Sequence, residues 1–132
     1  MREIIFRGKS TIAGTWAYGD ISFNLKGEPY IRFWARPESV NRTYWVEPVD
    51  PDTVGQFTGK PDKNDRKIFE GDILRIVERG ETLIGVVVFN ADRGEWVVQG
   101  TDGSFCNMAR RKDAEVIGNI HDNPELLKGG VE

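Results

Sequence analysis

Short apolar segments alternate with polar turns along the whole chain, and this pattern predicts a mainly β protein. In segment 15–25, Ile21, Phe23 and Leu25 alternate strictly with polar residues, which is the period of a half-buried strand. Turn-forming residues separate the segments at the spacing expected of hairpins and meanders. The predicted strands lie at residues 2–7, 15–25, 30–35, 43–46, 72–78, 82–90, 95–99, 104–108 and 114–120.

Prolines divide the chain. Pro48 and Pro51 each lack the N–H that a central strand donates to its neighbour, so a soft boundary is predicted between residues 53 and 54. Residues 1–53 form an aromatic antiparallel meander in this interpretation. Residues 54–132 carry five short strands with regular turns, which favours an SH3-like, partly open barrel against which the meander packs.

Local signals predict one turn and one helix. Gly19 and Asp20 stand between apolar residues and indicate a tight turn within the second strand segment. Near the C-terminus, Asn123 is predicted to cap a short helix, with Pro124 at its first position.

The densest set of turn residues lies in the segment 54–74. Gly59 and Gly71 permit positive φ, and Asp72 is predicted to accept backbone N–H bonds in a turn that begins at Glu70. The side chains predicted to cap backbone groups are those of Asp62, Asn64 and Asp65. We interpret this segment as a structural hinge or clasp between two ordered parts.

Four blocks of sequence carry a family resemblance. They are Met1 to Arg7, Gln56 to Leu74, residues 85–89, and residues 115–127, the last containing Gly118, Asn119 and Pro124. In these blocks the chain resembles the YopX-like family of phage and prophage proteins. The resemblance implies a β-rich fold and a phage or prophage origin in a bacterial host, and it implies no particular biochemical activity.

The charge balance bears on nucleic-acid binding. The 132 residues carry 18 Lys and Arg against 21 Asp and Glu, a net charge of −3, whereas proteins that bind phosphate backbones usually have a basic excess. Basic clusters and nearby aromatic rings nevertheless leave a small nucleic-acid-binding module as the alternative function. Solvated loop charge is the favoured interpretation of these clusters, and contact with a protein partner or with nucleic acid are the alternatives. The candidate contact residues are Lys60, Lys63, Arg66, Lys67, Arg110, Arg111 and Lys112, with Trp96 or Phe105 as stacking rings.

Few residues could support catalysis or metal binding. Cys106 and His121 are each the single residue of their type, whereas a zinc site needs about four ligands in characteristic spacing. A Cys–His nucleophilic pair is formally open, but a half-buried Cys and a surface His are the favoured interpretation. The acids of one hairpin are assigned to turns and caps: Glu70, Asp72, Glu78 and Glu81. We therefore predict no catalytic residue, no cofactor, no metal and no enzymatic activity.

The sequence composition predicts the cellular location of the protein and the kind of partner that it binds. A lone cysteine, no apolar run of about 20 residues and no secretory leader predict a cytoplasmic protein without membrane contact. Trp16, Trp34 and Trp45 lie in the N-terminal half, where they form either an aromatic core or an interface. Because antiparallel sheets have exposed edges, a homo-oligomer is predicted as well. The leading hypothesis is a non-enzymatic accessory protein that binds an unidentified protein partner.

Overall fold

The computed structural model describes residues 3–34, 44–108 and 113–128, which form a mainly β fold with antiparallel sheets. The chain divides into two compact units, Met1–Phe57 and Thr58–Glu132. The predictions of a β-rich fold, an N-terminal meander and one short C-terminal helix are confirmed.

The described residues contain eleven strands and one α-helix. The strands are β1 (Phe6–Lys9), β2 (Trp16–Phe23), β3 (Pro29–Trp34), β4 (Tyr44–Pro48), β5 (Gly55–Pro61), β6 (Lys67–Phe69), β7 (Asp72–Glu78), β8 (Glu81–Asn90), β9 (Glu95–Gly100), β10 (Phe105–Asn107) and β11 (Glu115–Asn119), and the helix is α1 (Glu125–Lys128). A short 3-10 turn, Pro51–Thr53, precedes β5, which carries the chain from the first unit into the second.

The first unit is built from strands in the order β4-β3-β2-β1-β5. Ile21 of β2 pairs with Ile31 of β3, so apolar residues meet across neighbouring strands. A single antiparallel bridge between Ser10 and Val49 brings the chain after β4 back beside the end of β1. The small core of this unit consists of Ala17, Ile31 and Val49.

Strand β2 runs without interruption from Trp16 to Phe23, so the predicted tight turn at Gly19 and Asp20 is wrong. A Cβ atom at Gly19 would lie 2.2 Å from the carbonyl oxygen of Arg32 on β3. Glycine is needed here because the two backbones approach closely, and such an approach is a common reason for a glycine inside a strand.

The second unit contains the larger core. Its five-stranded sheet has the order β10-β9-β8-β7-β11, and every pairing is antiparallel. A bulge separates Val116 from Gly118 in β11. The buried core residues are Ile68, Leu74, Ile76, Val87, Val98, Met108, Ala114 and Val116.

The hydrogen bond of Asn123, next to the short helix, differs from the one predicted. The side-chain oxygen of Asn123 accepts from the N–H of Asn119 at 3.2 Å, so Asn123 closes a turn rather than capping α1. Pro124 lies directly before the helix. A Cβ atom at Gly118 would meet Asn123 at 2.6 Å and Leu126 at 2.9 Å, so α1 packs tightly against β11.

The SH3-like barrel stays a prediction. Among the described residues, no ladder joins β10 to β11, and the sheet of the second unit is open. The predicted loop at residues 36–42 and the basic residues Arg110, Arg111 and Lys112 lie outside the described residues.

The close approach at Gly19 gives the first testable prediction. We expect Gly19→Ala to lower the free energy of unfolding by about 1–3 kcal/mol, because the new methyl group collides with backbone that cannot rotate away. Ser22→Ala, at an exposed position of the same strand, is the matched control and should change it by less than about 0.5 kcal/mol. Urea unfolding followed by tryptophan fluorescence measures both, and equal midpoints for the two variants would contradict the steric explanation.

Candidate functional site

Asp62 organises the turn between β5 and β6. Asp62 is 7% exposed. One of its carboxylate oxygens accepts hydrogen bonds from the N–H groups of Asn64 and Arg66, each at 2.8 Å. The other oxygen accepts from the N–H of Val116 in β11 at 2.9 Å. Lys63 adds a backbone bond from its N–H to the carbonyl of Ala114 at 2.9 Å. The turn is thus joined to β11 by side chain and backbone together.

The electrostatics of Asp62 follow from these contacts. Burial by itself would raise the pKa of the Asp62 carboxyl, but the N–H groups of Val116, Arg66 and Asn64, with the charge of Arg66, hold that pKa below its ordinary value of 3.8. A carboxylate that satisfies three backbone donors is a structural group. The turn is therefore built around Asp62, and the prediction that its side chain caps backbone groups is confirmed.

The first basic cluster is partly neutralised. The Lys63 Nζ atom lies 3.9 Å from Oε1 of Glu115, and Arg75 donates a hydrogen bond to the same oxygen. The hydrogen bond from Arg75 is the main cause of the lowered pKa of Glu115. Lys60, Arg66 and Lys67 are exposed.

The Glu70-Gly71-Asp72 turn is structural, as predicted. Gly71 has a φ of 89°, and Asp72, which is 2% exposed, accepts from the N–H of Phe69 at 2.7 Å. Gly71 also donates to the carbonyl of Val87 at 2.9 Å and accepts from Ile120 at 2.9 Å. This turn therefore joins β8 to the end of β11.

A similar arrangement surrounds Asn119. Its side-chain oxygen accepts from the N–H groups of His121 at 3.0 Å and Asp122 at 2.9 Å. Gly59, with a φ of 89°, supplies a further backbone position that favours glycine. The motif residues that carry the family resemblance thus satisfy backbone groups and shape turns.

Two of the predicted nucleic-acid contacts come together. A pocket of about 210 Å³ in the second unit is lined by residues that include Lys60, Trp96, Glu95 and Asn107. The Trp96 ring is held edge-on by Phe89, with ring centroids 5.1 Å apart. We call this the Trp96 pocket.

Phe105 lies apart from the Trp96 ring. It pairs with Gln99, and strand alternation places Gln99 and Trp96 on opposite faces of the sheet. Phe105 is nevertheless 58% exposed. The predicted pair of stacking rings therefore does not form one continuous surface.

Cys106 and His121 are also separated. Cys106 lies in β10 and packs against the core of the second unit, whereas His121 follows β11, the strand at the other end of the sheet order. Within residues 3–34, 44–108 and 113–128, no group of three or more His, Cys, Asp or Glu side chains could hold a metal ion. Over the same residues, no helix is long and apolar enough to cross a membrane.

The first unit presents an exposed aromatic strand. In β4, Tyr44 is 51% exposed, Trp45 is 55% exposed and Val46 is 47% exposed. Trp16, by contrast, is half-buried, and the guanidinium of Arg7 lies 4.6 Å from its ring centroid. Trp45 therefore presents its side chain largely to solvent, whereas Trp16 does not. The side chain of the third tryptophan considered for an interface, Trp34, lies outside the described residues.

Comparison with known proteins identifies the family. The family model described as YopX protein matches residues 5–128, nearly the whole chain. This chain belongs to the YopX family. The family assignment made from the sequence blocks is therefore confirmed.

A solved structure agrees with the fold. The crystal structure of protein EF1440 from Enterococcus faecalis is similar to this chain with a TM-score of 0.58 and 25% sequence identity. The similarity covers 96% of this chain and 99% of that one. A search of curated proteins found no match.

The role of Asp62 predicts a pH dependence of stability. Because the folded-state pKa lies below the ordinary value of 3.8, the carboxylate stabilises the fold above pH 4, and this contribution is lost as the pH falls through the folded-state pKa. We expect Asp62→Asn to be less stable than the native chain at pH 7 and to lose less stability between pH 7 and pH 3.

Urea unfolding midpoints across this pH range measure the effect. Asp65→Asn is the matched control, because Asp65 lies in the same turn, is exposed and has a φ of 65°, which asparagine tolerates. If Asp62→Asn and Asp65→Asn show the same pH profile, Asp62 does not anchor the turn.

Proposed function

We propose that this YopX-family chain is a phage- or prophage-encoded accessory protein that acts without catalysis, by binding other proteins. Its place of action in this proposal is the cytoplasm of a bacterial host, and it works as a homo-oligomer. The five-stranded sheet of the second unit is, in the same proposal, an SH3-like partly open barrel.

One observation carries the protein-binding part. Strand β4 is last in the strand order of its unit and presents Tyr44, Trp45 and Val46 largely to solvent. Tryptophan and tyrosine are enriched among the residues that dominate protein–protein binding energy, and an edge strand has backbone groups that can pair with another strand. A strand that combines both properties suits a protein interface. The YopX resemblance supports the phage or prophage origin.

A second candidate function, binding of single-stranded nucleic acid, is favoured by the Trp96 pocket. There, the Lys60 ammonium can contact a phosphate while a base stacks near the Trp96 ring. Three observations weigh against it: the net charge of −3, the pairing of Lys63 with Glu115, and the separation of Phe105 from Trp96. Protein binding is therefore the leading proposal.

The β4 surface is tested by photocrosslinking in cells. With the photoreactive residue p-benzoylphenylalanine in place of Trp45, we expect crosslinks to a second copy or to another protein. The same residue in place of Leu25, which is fully exposed in a turn of the same unit, is the control and should give few. Equal crosslinking at the two positions would show that exposure alone explains the products.

Self-association is measured separately by light scattering after size-exclusion chromatography. We expect a mass above the 14.9 kDa of one chain at high concentration, and Trp45→Ala should move it towards the monomer. A mass of one chain at every concentration would refute the homo-oligomer and leave only binding to a different protein.

Gel mobility shift with single-stranded DNA and RNA separates the second candidate from the first. If nucleic acid is the ligand, binding weakens steeply with salt, and Lys60→Ala reduces it while Lys26→Ala, at an exposed lysine of the other unit, does not. Our proposal predicts no shift at low salt, and a salt-sensitive shift lost in Lys60→Ala would replace it with the nucleic-acid function.

A further inference from the structure

The first unit contains a pocket of about 320 Å³ next to its exposed aromatic strand. Phe33 of β3, Glu47 of β4 and Ala17 of β2 are among the residues that line it. Its volume falls within the range of small-ligand pockets, which often occur at the mouths of curved sheets. Nearby, the bridge between Ser10 and Val49 joins the end of β1 to the chain after β4.

Glu47 gives this pocket one carboxylate. The residue is half-buried, and its carboxylate accepts a hydrogen bond from the Ser10 hydroxyl. Across residues 3–34, 44–108 and 113–128, no Lys or Arg forms an ion pair with Glu47. A carboxylate in a partly desolvated wall attracts a cation more strongly than one in open solvent.

The cations of the neighbouring strand lie on the other face of the sheet. Arg7 pairs with Tyr18 and Lys9 pairs with Trp16, so these side chains share a face. Arg7 and Lys9 lie 4.6 and 5.9 Å from the centroid of the Trp16 ring. Strand alternation places Ala17 on the opposite face. Trp16 and Tyr18 line the pocket as well, so Arg7 and Lys9 contact the ring of one residue in its wall.

Register also places Glu47 beside aromatic rings. Phe33 pairs with Trp45 and Ile31 pairs with Glu47, so all four side chains lie on one face. Phe33, Ala17 and the Glu47 carboxylate thus line the pocket, and Trp45 lies on the same face of the sheet. This combination suits the alkyl stem and charged head of a basic side chain, through cation–π contact and a charge-assisted hydrogen bond.

We propose that this pocket binds an arginine or lysine side chain of a partner protein. A protein is the source of the cation because Glu47 lies on β4, the strand that also presents Tyr44, Trp45 and Val46 to solvent. The inference rests on the proposed function and specifies its partner: a chain that presents a basic residue next to the β4 surface.

The direct test uses small cations as probes. Nα-acetyl-arginine amide and Nα-acetyl-lysine amide are titrated into the full chain, and the amide resonances of Thr15, Ala17 and Phe33 are followed by NMR. We expect saturable shifts with at least one of the two. Nα-acetyl-citrulline amide, which has the shape of arginine without its charge, should bind at least tenfold more weakly. Absence of shifts at about 10 mM of both cations, or equal binding of citrulline amide, overturns the proposal.

Matched variants assign the effect to Glu47. Glu47→Gln keeps the size and a hydrogen-bond acceptor for Ser10, and it should weaken cation binding by about tenfold or more. Glu28→Gln removes the same charge elsewhere in the first unit and should leave binding unchanged. Unchanged binding in Glu47→Gln overturns the proposal. If Glu47→Gln does not fold, Phe33→Leu tests the same pocket by removing the ring, and unchanged cation binding there has the same meaning.

The outcomes separate this inference from the proposed function. If crosslinks at position 45 are found but the cations do not bind, the interaction surface stands and the basic-side-chain pocket is refuted. If the cations bind in a Glu47-dependent way but position 45 gives no specific crosslinks, the pocket stands and β4 is not the interface.

Discussion

The carboxylate of Asp62 is the contact on which the second unit depends most. It accepts three backbone N–H groups, two within its own turn and one from Val116, which lies 54 positions further along the chain. A buried N–H without an acceptor is costly, so one side chain both shapes a local turn and fixes the position of a distant strand. The bond from Lys63 to Ala114 strengthens the same junction. The last strand of the sheet is thereby held on one side by β7 and on the other by a turn.

Local sequence signals predicted most of the strands and several turns, because alternation and turn chemistry act over short distances. Strands β5 and β6 were missed, since they lie in the turn-rich segment 54–74. The turn at Glu70-Gly71-Asp72 was predicted correctly, since its signals are local: the positive φ of Gly71 and the bond that Asp72 accepts from Phe69, three residues away. Gly19 was misinterpreted as a turn residue because its reason for being glycine is the carbonyl of Arg32, on a different strand. Asn123 was assigned to the helix for a different reason. Its side-chain oxygen can accept from a following or a preceding N–H, and the structure shows the bond to the preceding residue Asn119.

The candidate site was less predictable than the fold. Lys60 and Trp96 are 36 positions apart and meet only through the tertiary structure, and nothing local marked them as neighbours. Phe105 satisfied the same compositional criterion as Trp96 but alternates to the other face of the sheet. Glu47 carried no sequence signal at all, because its significance depends on Ser10, Phe33 and the register between β3 and β4. The motif residues Asp62, Gly71 and Asn119 share a structural role, which explains how a sequence family can be recognised while its activity is not.

The Ser10–Val49 bridge has a consequence for motion. Backbone bonds flank it, from the N–H of Thr11 to the carbonyl of Pro48 at 3.0 Å and from the N–H of Asp50 to the carbonyl of Lys9 at 2.9 Å. Local opening favours regions with few backbone bonds, whereas here several bonds would have to break together. Glu47, which lines the pocket, lies beside this junction and accepts a hydrogen bond from Ser10. A ligand would therefore meet a wall that is already in place, which lowers the entropy cost of binding.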